Sequence, residues 1–88
     1  MANSYFLFHE NKHMMSIIKS IASDKARELG IEETQGIYQL PVKVDEISNE
    51  VYFAMDIGKK YMQKCLNRLA ASNSIKYDLD LGYVLLID

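Results

Sequence analysis

Lys60, Gln63, Lys64, Asn67 and Arg68, with Lys59 just ahead of them, recur at helical spacing in the second half of the chain. Side chains three and four residues apart share one face of a helix, so this set forms a single donor-rich surface. Lysine and arginine neutralise phosphates or reach guanine, and the amides of glutamine and asparagine pair with adenine. A helix carrying both kinds has what reading a DNA major groove requires. An ordinary solvated helix face uses the same residue types, and that alternative stays open beside it.

A second pattern lies near the start, where His9-Glu10-Asn11-Lys12-His13 spells H-E-x-x-H. On a helix the two histidines share a face and can grip one zinc ion. The match reads as accidental. No third histidine exists, so a third ligand has to be a carboxylate, and Lys12 charges a middle position usually uncharged in zinc proteases. The lone Cys65 falls on an apolar helix side with no histidine or carboxylate near it in sequence, which predicts a buried, inert thiol. The chain carries no phosphate-cradling glycine loop, no paired catalytic carboxylates and no nucleophile–base arrangement. The expectation is a protein that is not an enzyme and uses neither metal nor cofactor.

The elements that position these residues must come from one small domain. Its 88 residues are 49% hydrophobic and 25% charged, with one proline and four glycines, which fits a globular chain without a flexible linker. No apolar run approaches the roughly 20 residues of a membrane helix, and the N-terminus lacks the marks of a signal peptide. A single cysteine forms no internal disulfide, so a reducing cytoplasm is the expected compartment. Net charge is −2, which by itself argues against nucleic acid. Its distribution does not: Ile57 to Leu69 holds Lys59, Lys60, Lys64 and Arg68 with no acid, while Gly36 to Asp56 holds Lys43 against Asp45, Glu46, Glu50 and Asp56. A ligand meets that local field first.

The apolar periodicity predicts a first helix from about Asn11 as N-cap, burying Met14, Ile17, Ile18, Ile21, Ala22 and Leu29, with Met15 and Ala26 widening the stripe and Gly30 as C-cap. Tyr5-Phe6-Leu7-Phe8 reads as a strand, a helical lead-in or an oligomer contact. Gly36 to Val42 reads as a short strand ending at Pro41, which suits a sheet edge. Asp45 then caps a second helix that carries Ile47, Val51 and Met55 inward. The third helix, about 58–72, buries Met62, Cys65, Leu66 and Leu69 and ends at Asn73. Two strands follow, joined at Asp80-Leu81-Gly82, with Tyr77 and Tyr83 packing across the hairpin or against the first helix.

This order of helix, strand, helix, helix, strand, strand, together with the stretch Ile47 to Ile75, resembles the winged helix-turn-helix superfamily. Met55-Asp56-Ile57-Gly58 is similar to its turn, Met62, Leu66 and Leu69 to the buried positions of its recognition helix, and Asn73-Ser74-Ile75 to its entry into the wing. The wing differs in carrying Asp78 and Asp80 and no arginine. The resemblance implies an α+β fold of three helices with a short three-stranded antiparallel sheet. It also implies a double-stranded DNA-binding transcriptional regulator of the bacterial, plasmid or phage kind, reading the major groove through Lys59, Lys60, Gln63, Lys64, Asn67 and Arg68. Two-fold dimers commonly span successive groove turns. A homodimer is therefore expected, through Tyr5–Phe8 and the flank of the first helix near Met15. The competing expectation is a winged-helix adaptor or anti-regulator that binds protein, to which the acids Asp45, Glu46 and Glu50 are suited. The zinc-like pattern yields its own test. Protein stripped with chelator should keep its helical circular dichroism and melting temperature, whereas stoichiometric zinc whose removal melts the domain would overturn the accidental reading.

Overall fold

The buried positions of the longest helix organise the rest of the chain. The computed structural model describes residues 4–55, 58–78 and 80–87, with side chains described from 9 to 53, 58 to 78 and 80 to 87. It contains α1 (Ser4–Glu28), α2 (Glu33–Gly36), β1 (Val42–Lys43), α3 (Val44–Met55), α4 (Lys59–Ala71), β2 (Ile75–Asp78) and β3 (Tyr83–Leu86). The fold is α+β, with four helices and one three-stranded antiparallel sheet in the order β1-β3-β2. No described helix is long and apolar enough to cross a membrane.

Met14, Ile18 and Ala22 of α1 are completely buried, as are Ile47 and Val51 of α3 and Met62, Cys65 and Leu66 of α4. The spacing read from the sequence therefore selects the inward faces of all three long helices. The sheet adds Val42, Val84, Ile75 and Leu86 to the same core. Within it β3 is central, pairing Val42 with Val84 on one side and Ile75 with Leu86 and Tyr77 with Val84 on the other. Strand alternation puts Lys43, Tyr83 and Asp78 on the opposite face from Val84.

Both long helices that end within the described residues close in the same way. Gly30 N–H donates to the Arg27 carbonyl at 3.2 Å and Ile31 N–H to that of Ala26 at 2.8 Å, with Gly30 at φ 71°. At the end of α4, Asn73 N–H donates to Ala70 O at 3.1 Å and Ser74 N–H to Leu69 O at 2.9 Å, with Asn73 at φ 61°. This is the paired bonding of a Schellman motif, which satisfies carbonyls left over at a helix end. The hairpin loop is tied by Asp78, whose carboxylate accepts Leu81 N–H at 2.9 Å and whose carbonyl accepts Gly82 N–H at 2.9 Å.

Several expectations are corrected. Asn11 is not an N-cap: α1 begins at Ser4, so the backbone of Tyr5–Phe8 is helical rather than a strand. The side chains of Tyr5–Phe8 and Met55, and residues Asp56 and Ile57 of the turn, lie outside the described residues. Leu29 is 64% exposed, because α1 ends at Glu28 and the chain reverses at Gly30. Gly36 to Val42 is not a strand. A short α2 ends at Gly36, which lies against Ile31 and Ala26 so tightly that a Cβ has no room, and turn hydrogen bonds to Gln35 and Gly36 coil residues 38 and 39. Only Val42 and Lys43 pair, at a sheet edge just past Pro41. Asp45 sits inside the first turn of α3 rather than capping it. The helix starts at Val44, whose N–H donates to Gly82 O at 2.8 Å, and Glu46 reaches back to Lys43 N–H at 3.2 Å. That contact is the carboxylate half of a capping box.

Leu66 is 0% and Leu69 3% exposed, so Leu66→Ala and Leu69→Ala should each cost roughly 2–5 kcal/mol. Chemical denaturation measures this. A loss under about 0.5 kcal/mol at both positions is what truncation of surface residues gives, and it would mean α4 is rotated from the orientation described.

Candidate nucleic-acid interface

Burial of Met62, Cys65, Leu66 and Leu69 fixes the rotation of α4 and leaves the opposite side to solvent. Lys60, Tyr61, Gln63, Lys64 and Asn67 line one shallow concavity of about 510 Å³. Lys60, Lys64 and Asn67 are exposed and Gln63 is half-buried. Lys60 and Lys64 make no ion pair among the described residues. The helix contains no acidic residue, and its N-cap, Gly58, supplies no side-chain cap. The positive end of the helix dipole therefore adds to Lys59 and Lys60.

Gln63 also borders a second groove of about 370 Å³, between the start of α4 and the β1–β3 edge. Lys43, Asp45, Lys59, Leu81 and Tyr83 share it. Lys59 Nζ lies 3.9 Å from Asp45 Oδ1, with side chains 61% and 87% exposed. A pair this solvated and this long holds little, so Lys59 keeps its charge available. No sequence pattern marks Lys43 and Tyr83 as members of this surface. Lys43 was visible only as one base in an acidic stretch, and strand pairing brings it opposite Tyr83.

Arg68 departs from the open-face expectation. Its Nε donates to Asn11 Oδ1 at 3.3 Å, and its Nη2 donates to Glu10 Oε2 at 3.3 Å and to Cys65 Sγ at 3.0 Å. Glu10 also accepts the Tyr61 hydroxyl at 2.9 and 3.0 Å. This cluster joins α1 to α4 across more than fifty residues of sequence, with the Glu10 side chain only 11% exposed. Its hydrogen bond to Glu10, then burial, holds the Tyr61 phenol above its ordinary value of 10.0. Burial likewise pushes the Cys65 thiol up, against the opposing pull of Arg68. Cys65 is buried, as its place on the apolar side predicts, although an arginine and a carboxylate stand near it in space.

The same contacts bear on H-E-x-x-H. Glu10 faces α4, whereas His9 and His13 line a different surface with Lys12 and Ser16. Among the described residues no group of three His, Cys, Asp or Glu is placed to hold a metal. Tyr77 and Tyr83 do not pack on each other. The register puts Tyr77 beside Val84, packed against the core, and Tyr83 beside Asp78 on the outer face. The Tyr77 hydroxyl is buried without a hydrogen-bond partner among the described residues, and burial raises its pKa. The structure also exposes an aromatic pair that no sequence pattern marks, Tyr52 and Phe53 of α3. Comparison with protein-family models, curated proteins and solved structures finds no match to this chain.

Glu10→Ala should lower stability by about 1–3 kcal/mol, since it leaves Tyr61 and Arg68 short of an acceptor. Because the Tyr61 pKa is raised in the folded state, its contribution is complete below the unfolded value and fades as pH rises through the folded one. The stability gap between wild type and Tyr61→Phe should therefore narrow above pH 10.0. Denaturant melts across alkaline pH measure this, and a gap that stays constant would discount the bond.

Proposed function

We propose that the chain binds double-stranded DNA as a winged helix-turn-helix regulator, with α4 in the major groove. The observation that carries the reading is the exposed face of α4. Lys60, Gln63, Lys64 and Asn67 share one surface on a helix without a single acid. From Lys60 to Asn67 this surface runs about 10 Å along the helix axis, enough for a few base pairs. Charged ammonium groups supply affinity through phosphates, and the two amides supply base discrimination.

The surroundings support the same assignment. Three residues separate α3 from α4, the connection length of a helix-turn-helix, and the β2–β3 hairpin follows α4 directly. Lys43 and Lys59 flank the helix start, where they extend the positive field towards the sheet edge. The hairpin tip has another character. Asp78 is occupied in holding its own loop, and Leu81 stands 69% exposed. Phosphate contact in this reading comes from α4 and Lys43 rather than from the wing. Arg68 acts as a brace between α4 and α1, not as a base reader. Two copies related by a two-fold axis read successive groove turns about 34 Å apart.

Fluorescence anisotropy on duplex DNA at several salt concentrations tests the reading, with the preferred sequence first selected from a randomised duplex pool. Each phosphate contact removed, by Lys60→Ala or Lys64→Ala, should lower the magnitude of the slope of log affinity against log salt by about 0.9. Gln63→Ala and Asn67→Ala should relax preference at one or two base positions and leave that slope unchanged. If a folded Lys60→Glu, Lys64→Glu double variant binds DNA as wild type does, α4 is not the reading helix. The protein-binding adaptor then becomes the better reading.

A further inference from the structure

Two aromatic rings of α3 stand in solvent. Phe53 is 85% exposed and Tyr52 60%, and the rings meet edge to face with centroids 5.7 Å apart. Neither belongs to the core or packs against it. Three and four residues earlier on the same helix face, Glu50 and Asn49 border a groove of about 320 Å³ between α3 and the second half of α1. Glu46 of α3 and Ile21, Asp24 and Glu28 of α1 complete it, together with Lys25.

This groove is negative. Lys25 pairs with Glu46 at 3.0 Å, and Arg27 lies 3.4 Å from Asp24. Glu28 and Glu50 have no ion-pair partner among the described residues. Acid of this density repels nucleic acid, so the face is separate in kind from α4. Large exposed aromatics concentrate at protein interfaces, where they supply contact area at low entropic cost. The charge beside them selects the sign of what covers them.

We propose that this face docks a segment of a partner protein in which a lysine or arginine sits beside a bulky apolar side chain. The cation meets Glu28 and Glu50, and the apolar side chain covers Phe53 and Tyr52. A second copy of this chain fits less well, because its densest run of cations is on α4 and pairing there would bury the donor face of that helix. The proposal is independent of what α4 binds.

Isotope-labelled whole chain titrated with short synthetic peptides provides the test. One peptide is amphipathic and built of lysine and leucine; its control replaces lysine with glutamate. Amide shifts should appear at residues 21–28 and 46–53 with the first peptide and not with the second. Phe53→Ala and the double Glu28→Lys, Glu50→Lys variant should each weaken binding about tenfold, the effect of losing one good contact. Both alter exposed positions, so circular dichroism should be unchanged, and affinity for duplex DNA should not fall. Absence of binding, shifts centred elsewhere, or binding that ignores Phe53→Ala and follows charge alone would each overturn the proposal. So would a dimer in sedimentation equilibrium that Phe53→Ala dissolves, since that outcome makes a second copy the occupant.

Discussion

Burial of the apolar stripe of α4 against α1 is the constraint on which the remaining architecture depends. Met62, Cys65 and Leu66 have no exposed surface and Leu69 almost none, so α4 has one permitted rotation about its axis. A shift of one residue turns a helix by about 100° and would carry either Gln63 and Asn67 or Lys64 and Arg68 into the core. The exposed donor face and the hydrophobic core are thus two statements of one packing solution. The Glu10–Tyr61–Arg68 cluster reinforces it from the polar side, since it joins the first half of α1 to both ends of the α4 seam.

Formal charge gives a poor guide to this molecule because many carboxylates are committed to structure. Asp78 closes the hairpin loop, Glu46 caps the start of α3 and pairs with Lys25, and Glu10 holds Tyr61 and Arg68. None of these lies on the exposed face of α4. A chain with a net charge of −2 consequently presents a helix surface whose described neighbours include one weakly paired acid, Asp45. The uncommitted acids gather instead in the α1–α3 groove, so the two surfaces carry opposite signs. Helix α3 connects them. Its first turn borders the groove beside Lys59, and its third carries Phe53.

Helical periodicity made much of this legible from sequence. The inward residues of α1, α3 and α4 repeat every three or four positions, and those repeats alone identify Met14, Ile18, Ile47, Val51, Met62 and Leu66 as core. Local backbone chemistry fixed the helix ends at Gly30 and Asn73, because few residues other than glycine and asparagine accept a left-handed conformation without strain. The hairpin followed in the same way from two β-prone runs around Gly82. Each of these features depends on neighbours in sequence.

Tertiary structure decided whatever depended on distant partners. Arg68 shares the spacing of Lys60 and Lys64, yet Glu10 and Asn11, more than fifty residues away, draw it onto α1. Gly36 to Val42 has the composition of a strand, but Gly36 ends α2 in close contact with Ile31, and hydrogen bonds to Gln35 and Gly36 coil the next residues into turns. Asp45 is a good capping residue by type, but the helix starts at Val44, whose N–H donates to the Gly82 carbonyl, two residues too early to use it. Lys43 and Tyr83 became neighbours only through strand register, and Tyr52 and Phe53 stand in solvent on the side of α3 away from the buried Ile47 and Val51. Sequence determines which faces are apolar, because that is a property of spacing along one element; which polar side chains remain exposed is a property of contacts between elements, and those exist only once the chain has folded.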